Sequence, residues 1–258
     1  MTFIMQRPSI PLFIVPVAVP AAYLIYLSWK ITSQTTVTTG RQRADGASPP
    51  PPRPVSLPAE VCADDGSQWI VSYERVVSKP VSTSEITVSS SGTAGSQEEK
   101  QRQQQQPSAL LQAYSRATHL AFRSTPQARI MRLAIGDPDT KRTFDANWIQ
   151  GLLFKQGDVV NGAYKVAYHG PGPAPASERV ELAIEAPASY RGPPAPKGLI
   201  LAEVQHVEDG SAVLFVNETW MWRRHDERPT LIEGGFGALL HGLMAGWMVL
   251  RGIESVTA

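Results

Sequence analysis

The sequence predicts an α+β fold: a curved antiparallel sheet with a C-terminal apolar helix, preceded by an N-terminal transmembrane helix. Three observations predict it. Asp209-Gly210 separates two β-rich runs, Leu199–His206 and Ala212–Trp222, and glycine there supplies the positive φ of a tight hairpin turn. Gly234–Leu250, at the end of the chain, is an uncharged, apolar helical stretch. Pro8–Trp29, near its start, also contains no charged residue.

Taken in order, Pro8–Trp29 is long enough to cross a bilayer core of about 30 Å, which needs roughly 20 residues. Tyr23, Tyr26 and Trp29 collect at its C-terminal end, where amphipathic rings suit the membrane interface. Pro11, Pro16 and Pro20 fit a lipid-embedded helix better than an isolated soluble one. The run exceeds the usual apolar core of a cleaved signal peptide, and one Arg7 before it is too little for a mitochondrial presequence. A single-pass signal-anchor over residues 1–30 is therefore expected, with the membrane as a partner through residues 8–29. Lys30, Arg41 and Arg43 follow the run and Arg7 precedes it, which places the C-terminal domain on the cytosolic side. Asn217-Glu-Thr219 is a glycosylation sequon that would argue for a lumenal side, but it falls inside a predicted strand.

Residues 31–60 are expected to be a Pro-rich tether, with Pro49–Pro52, Pro54 and Pro58 favouring extended, semi-rigid chain. A single α+β domain is expected over residues 61–258. In it, Trp69–Val77 reads as a strand with Trp69, Val71, Tyr73 and Val77 on one face, and Glu85–Ser89 as a further short strand. The Ser/Gly and Gln/Glu/Lys bias of Ser89–Pro107 predicts a disordered loop at about 89–107. Ser108–Arg123 is an amphipathic helix through Leu110, Leu111, Tyr114, Thr118, Ala121 and Phe122. Thr125-Pro126 starts a second helix, as cap and first position. Arg129 and Arg132 on it read as solvated charges or as an anion contact.

Phe144, Trp148, Leu152 and Phe154 suggest a short helix within Thr143–Lys155. Val159–His169 is a strand, and Arg179–Glu185 another, with Val180, Leu182 and Ile184 inward and Arg179 and Glu181 outward. Thr230–Glu233 fits a capping box ahead of the last helix. That helix carries Gly242 and Gly246 four residues apart, a close-packing pattern. It is short for a bilayer span and reads as a core helix.

In element order alone, this layout resembles the helix-grip arrangement of START-like and polyketide-cyclase-like domains, in which a sheet wraps a last helix around an apolar cavity. The hot-dog fold is the runner-up, although it sets its long helix before most strands. A cone-shaped NTF2-like fold is third.

Composition excludes several classes. A net charge of +1 gives no argument for nucleic acid. The single Cys62 excludes an intramolecular disulfide and any Cys-rich metal site. No nucleophile elbow, P-loop, EF-hand loop or His-Glu-x-x-His is present, and neither a cofactor nor a metal is expected. What remains are polar residues on apolar elements. Glu218 shares one strand face with Leu214, Val216, Trp220 and Trp222. If that face lines a cavity, its carboxyl becomes a candidate acid or base, with His241 of the last helix as the second catalytic candidate. Trp148, Tyr164, Glu203, Trp220 and Trp247 are the candidate ligand-binding residues. Asp145 and Asn147, beside Trp148, read as a cavity mouth or as helix capping. Arg223-Arg224-His225 reads as a solvated link or a contact to anionic headgroups.

Three functions fit this reading. The first is a membrane-anchored domain binding an apolar small molecule, such as a lipid or polyketide-like compound. The second is a cyclase, isomerase or dehydratase on the same scaffold, using a buried Glu or His. The third is a non-catalytic membrane assembly factor.

Overall fold

The structure is a computed structural model that describes residues 15–42, 50–88, 106–207 and 209–258, the side chains of residues 15–21 excepted. The first part of the expected membrane stretch and nearly all of the expected loop at 89–107 lie outside the described residues. The fold mixes helix and strand, with an open antiparallel sheet and a C-terminal helix.

The first described helix is α1 (Val15–Gln34), which leads directly into β1 (Thr35–Arg41). A short helix α2 (Ala59–Cys62) precedes β2 (Trp69–Ser78) and the two-residue β3 (Val81–Ser82). Four helices follow: α3 (Ala109–Arg123), α4 (Pro126–Ala134), α5 (Pro138–Arg142) and α6 (Ala146–Gly151). Then come β4 (Val159–Val160), β5 (Tyr164–Pro171), β6 (Ser177–Ile184), β7 (Gly198–His206), β8 (Ala212–Arg224) and the terminal helix α7 (Gly235–Val256). The strands run β1-β2-β8-β7-β6-β5-β4, with β3 also on β8 and every pairing antiparallel.

Local chemistry sets the helix ends. The Ser108 hydroxyl accepts from Leu111 N–H to start α3, and Thr125 accepts from Ala128 N–H to start α4, with Pro126 at its first position. The Thr230–Glu233 box is formed, but it caps a single 3₁₀ turn, Leu231–Glu233, ahead of α7. Arg223 holds Glu233 with two bonds, at 2.8 and 3.0 Å, and Arg41 of β1 adds a third at 3.0 Å. Burial alone would raise the Glu233 pKa, but the donors from Arg223 and Thr230 prevail and bring it down to about 2.

Because strand residues alternate, the register divides the sheet into two faces. The inner face carries Val76, Phe215, Val204, Val180, Leu182 and Val166, and packs against α3 and α7. Close approach of these helices depends on glycine. A side chain at Gly252 would collide with the Tyr114 ring of α3, and one at Gly246 with Ile31 of α1. α7 is long and apolar enough to cross a bilayer by length and composition, yet His241, Ala245, Val249 and Leu250 are buried in the fold.

The structure corrects three expectations. Thr35–Arg41 is not tether: its β-branched run pairs with β2 in full register, so the sheet begins before residue 61. The Pro-rich stretch from residue 50 to Cys62 is a strap across the outer sheet face, where Leu57 and Val61 pack with Val71, Tyr73, Leu199, Leu201, Trp220 and Trp222. The described part of the expected strand Glu85–Ser89, residues 85–88, is not a strand; Thr83–Glu85 is a 3₁₀ turn and Ile86 makes one isolated bridge to Thr257. Arg179 and Glu181 point outward as expected, and the strap covers them, leaving 3% and 0% exposure.

Candidate functional site

Between the inner face and the helices lies a cavity of about 580 Å³. Its walls are apolar: Phe122, Met131, Leu182, Ile184, Ile200 and Met244 are representative, drawn from α3, α4, β6, β7 and α7. The Pro193–Pro196 stretch closes one side. Ile130 and Leu231 both line the space and are exposed, at 67% and 51%, so they mark its rim. Among the inward residues of β7 and β8 that face it, Ala202, Asn217 and Thr219 are small or short and leave room between Ile200 and Met221, whereas Phe215 and Val213 further along β8 fill the core.

Polar groups gather on part of this wall. His241 Nδ1 lies 2.7 Å from Glu74 Oε1, joining α7 to β2. Glu74 is 1% exposed and its Oε2, set against Gly242, has no partner among the described residues. Thr219 faces Glu74 directly across the β2–β8 ladder, and both side chains therefore lie on the inner face. Asn217 follows two residues earlier; Tyr114 Oη donates to its Oδ1 at 2.9 Å, which leaves the amide NH₂ uncommitted among the described residues.

A second histidine, His119 of α3, also lines the cavity. Its Nδ1 is 2.8 Å from Asn161 Oδ1, and its ring stacks on Phe154 at 5.8 Å. Burial pushes its pKa down to about 4, against the smaller upward pull of the Asn161 bond, so the ring is neutral near pH 7. Burial likewise raises the Tyr164 phenol.

Of the candidate site residues singled out in the sequence, His241, Tyr164 and Glu218 line this cavity. Glu218 lies in its wall, but its carboxylate is engaged by outer-face side chains: it accepts from Trp220 Nε1 at 2.7 Å and pairs with Arg75 at 3.1 Å. Burial raises its pKa, and those two partners partly offset the rise. The structure thus does not bring the Glu218 carboxylate to His241. Glu203 and Trp220 belong to the outer face, where Trp220 packs on Tyr73 with ring centroids 5.4 Å apart. Trp148, 40% exposed, donates from its indole to Val159 O at 3.0 Å, away from the cavity, and Trp247 is half-buried on α7 outside the lining. Arg132 pairs with Asp145 at 3.0 Å on the surface.

Sequence reasoning missed Glu74, His119, Asn217 and Thr219. His119 had a legible signal, since it is flanked by Thr118 and Phe122 on the buried side of an amphipathic helix. Glu74 had none: it shares its strand face with Ser72 and Val76, a pattern that reads as solvent-facing. No family model matches the chain, and neither the curated proteins nor the solved structures yield a significant match.

Proposed function

We propose that the chain is a membrane-anchored domain that binds an apolar small molecule, of lipid or polyketide-like character, in a helix-grip-like fold. The observation that carries this reading is the cavity of about 580 Å³ between α7 and the sheet. That volume lies within the range of small-molecule sites, and an apolar wall with a few convergent polar groups is their usual composition. Four flexible methionines, Met131, Met221, Met244 and Met248, line it, and such side chains adapt to ligands of differing shape. The uncharged run Pro8–Trp29 supports an anchor that keeps the domain where apolar molecules partition.

The test is retention. The full chain, purified in amphipol, is incubated with a lipid and metabolite extract, washed, and analysed by native mass spectrometry. The reading expects an apolar compound retained by the wild type and lost in Ala202→Phe, whose added ring occupies the cavity. Equal retention by both, or retention by neither, contradicts it.

A further inference from the structure

The polar part of the cavity wall has more structure than ligand binding requires. A carboxylate only accepts hydrogen bonds, so Glu74 Oε1 at 2.7 Å fixes the His241 proton on Nδ1. In the neutral ring this leaves the Nε2 lone pair as a base. Nε2 has no partner among the described residues, and His241 lines the cavity. Glu74 itself cannot swing away, because it is 1% exposed and wedged between His241 and Gly242. Asn217 and Thr219, on the same wall, supply an amide NH₂ and a hydroxyl as donors. Among the described residues the lining contains no serine or cysteine, so the arrangement favours proton transfer over a covalent acyl intermediate on those groups.

Resting on the cavity reading above, we propose that this wall is a proton-transfer site for an apolar ligand bearing an enolisable carbonyl. His241 Nε2 is the base and Glu74 its positioning residue. The C–H bond next to the carbonyl breaks, its proton goes to Nε2, and its electron pair forms the enolate C=C with charge on oxygen. Asn217 and Thr219 donate to that oxygen, in an apolar setting where such bonds count for more than in water. The imidazolium, balanced by Glu74, returns the proton to the same carbon, or to the far end of a conjugated system, which shifts a double bond. No oxidant, reductant or co-reactant is consumed.

The probe is β-tetralone, an apolar ketone with activated α-hydrogens, offered in D₂O to the full chain in lipid nanodiscs. Binding is read by saturation-transfer NMR and α-hydrogen exchange by mass spectrometry. The proposal expects exchange well above that of empty nanodiscs. His241→Ala should lower it about 100-fold or more while β-tetralone still binds. Added imidazole should restore exchange in that variant and not in the wild type, a response that a purely structural role would not give. Glu74→Gln should slow exchange without weakening binding. Should His241→Ala fail to fold, His241→Gln, which retains a polar side chain beside Glu74, serves the same comparison. Binding without exchange, or exchange unchanged in the His241 variants, overturns the proton-transfer site and leaves the cavity reading standing. Absence of binding removes both.

Discussion

The two faces of the sheet solve the same burial problem in opposite ways. The inner face is apolar apart from the Glu74, Asn217 and Thr219 patch, is covered by two long helices, and encloses space. The outer face carries Arg75, Arg179, Glu181, Glu203 and Glu218, yet a thin strap covers it and leaves no comparable cavity among the described residues. Four of these charges are paired, Arg179 with Glu181 at 2.7 Å and Arg75 with Glu218 at 3.1 Å, while Glu203 accepts from the Gln205 amide at 2.7 Å. Glu181 also accepts from the Val55 and Ser56 amides at 2.9 and 2.7 Å, and Arg179 donates to Arg53 O at 3.4 Å. The strap is thus held by hydrogen bonds to buried ions together with the packing of Leu57 and Val61, whereas the helices are held mainly by packing. A face held by ions is intolerant of losing one partner. A face with spare volume is tolerant of added atoms.

That contrast is sharpest at Glu181. Glu181→Ala strands Arg179 without its counterion and removes the strap's two amide acceptors, so it should destabilise the fold by about 3–5 kcal/mol, measured by denaturant unfolding. A loss under ~1 kcal/mol would show that the outer ion pairs do not hold the strap.

The next effect comes from the inner face and acid. His119 has its pKa lowered from 6.5 to about 4, so the unfolded chain binds its proton more readily. Stability from this group is present above the unfolded pKa and is lost as pH falls towards the folded one, about 3 kcal/mol between pH 7 and pH 4. His119→Gln should flatten that part of the pH–stability curve. An unchanged slope would contradict the burial described for the ring.

Leu57→Ala in the strap should cost about 2–3 kcal/mol, the lower part of the range for buried leucines, because a strap relaxes more easily than a core element. Hydrogen exchange should show the loss at the Val55 and Ser56 amides, with α7 protection unchanged. The smallest expected change is Ala202→Phe. In a filled core an insertion of that size costs roughly 1–3 kcal/mol or more. Into the cavity it should cost under ~1 kcal/mol and abolish ligand retention, measured on the same preparation by unfolding and native mass spectrometry.

What could be read from the sequence follows this division. The β7–β8 hairpin, the β6 alternation, the caps at Ser108 and Thr125 and the apolar last helix are local patterns, and period and turn chemistry reveal them. Alternation placed Arg179 and Glu181 on the outward face, but it tells which residues share a face and not what covers it. The cover comes from a Pro-rich segment more than 120 residues away, whose composition resembles a spacer. β1 was hidden for a related reason, since its burial pattern is mostly exposed and only pairing makes it a strand. The Glu74–His241 pair spans 167 residues and joins a strand to a helix, a juxtaposition that no local period encodes.

The most direct test of the central claim asks where an apolar ligand sits. The full chain in a lipid bilayer is exposed to a diazirine-bearing fatty acid, irradiated, and mapped by peptide mass spectrometry. The account predicts labels on the inner wall, at Met131, Tyr190, Met244 and Met248, that disappear in Ala202→Phe. Labels confined to α1 and the outward side of α7, unchanged by that substitution, would contradict it.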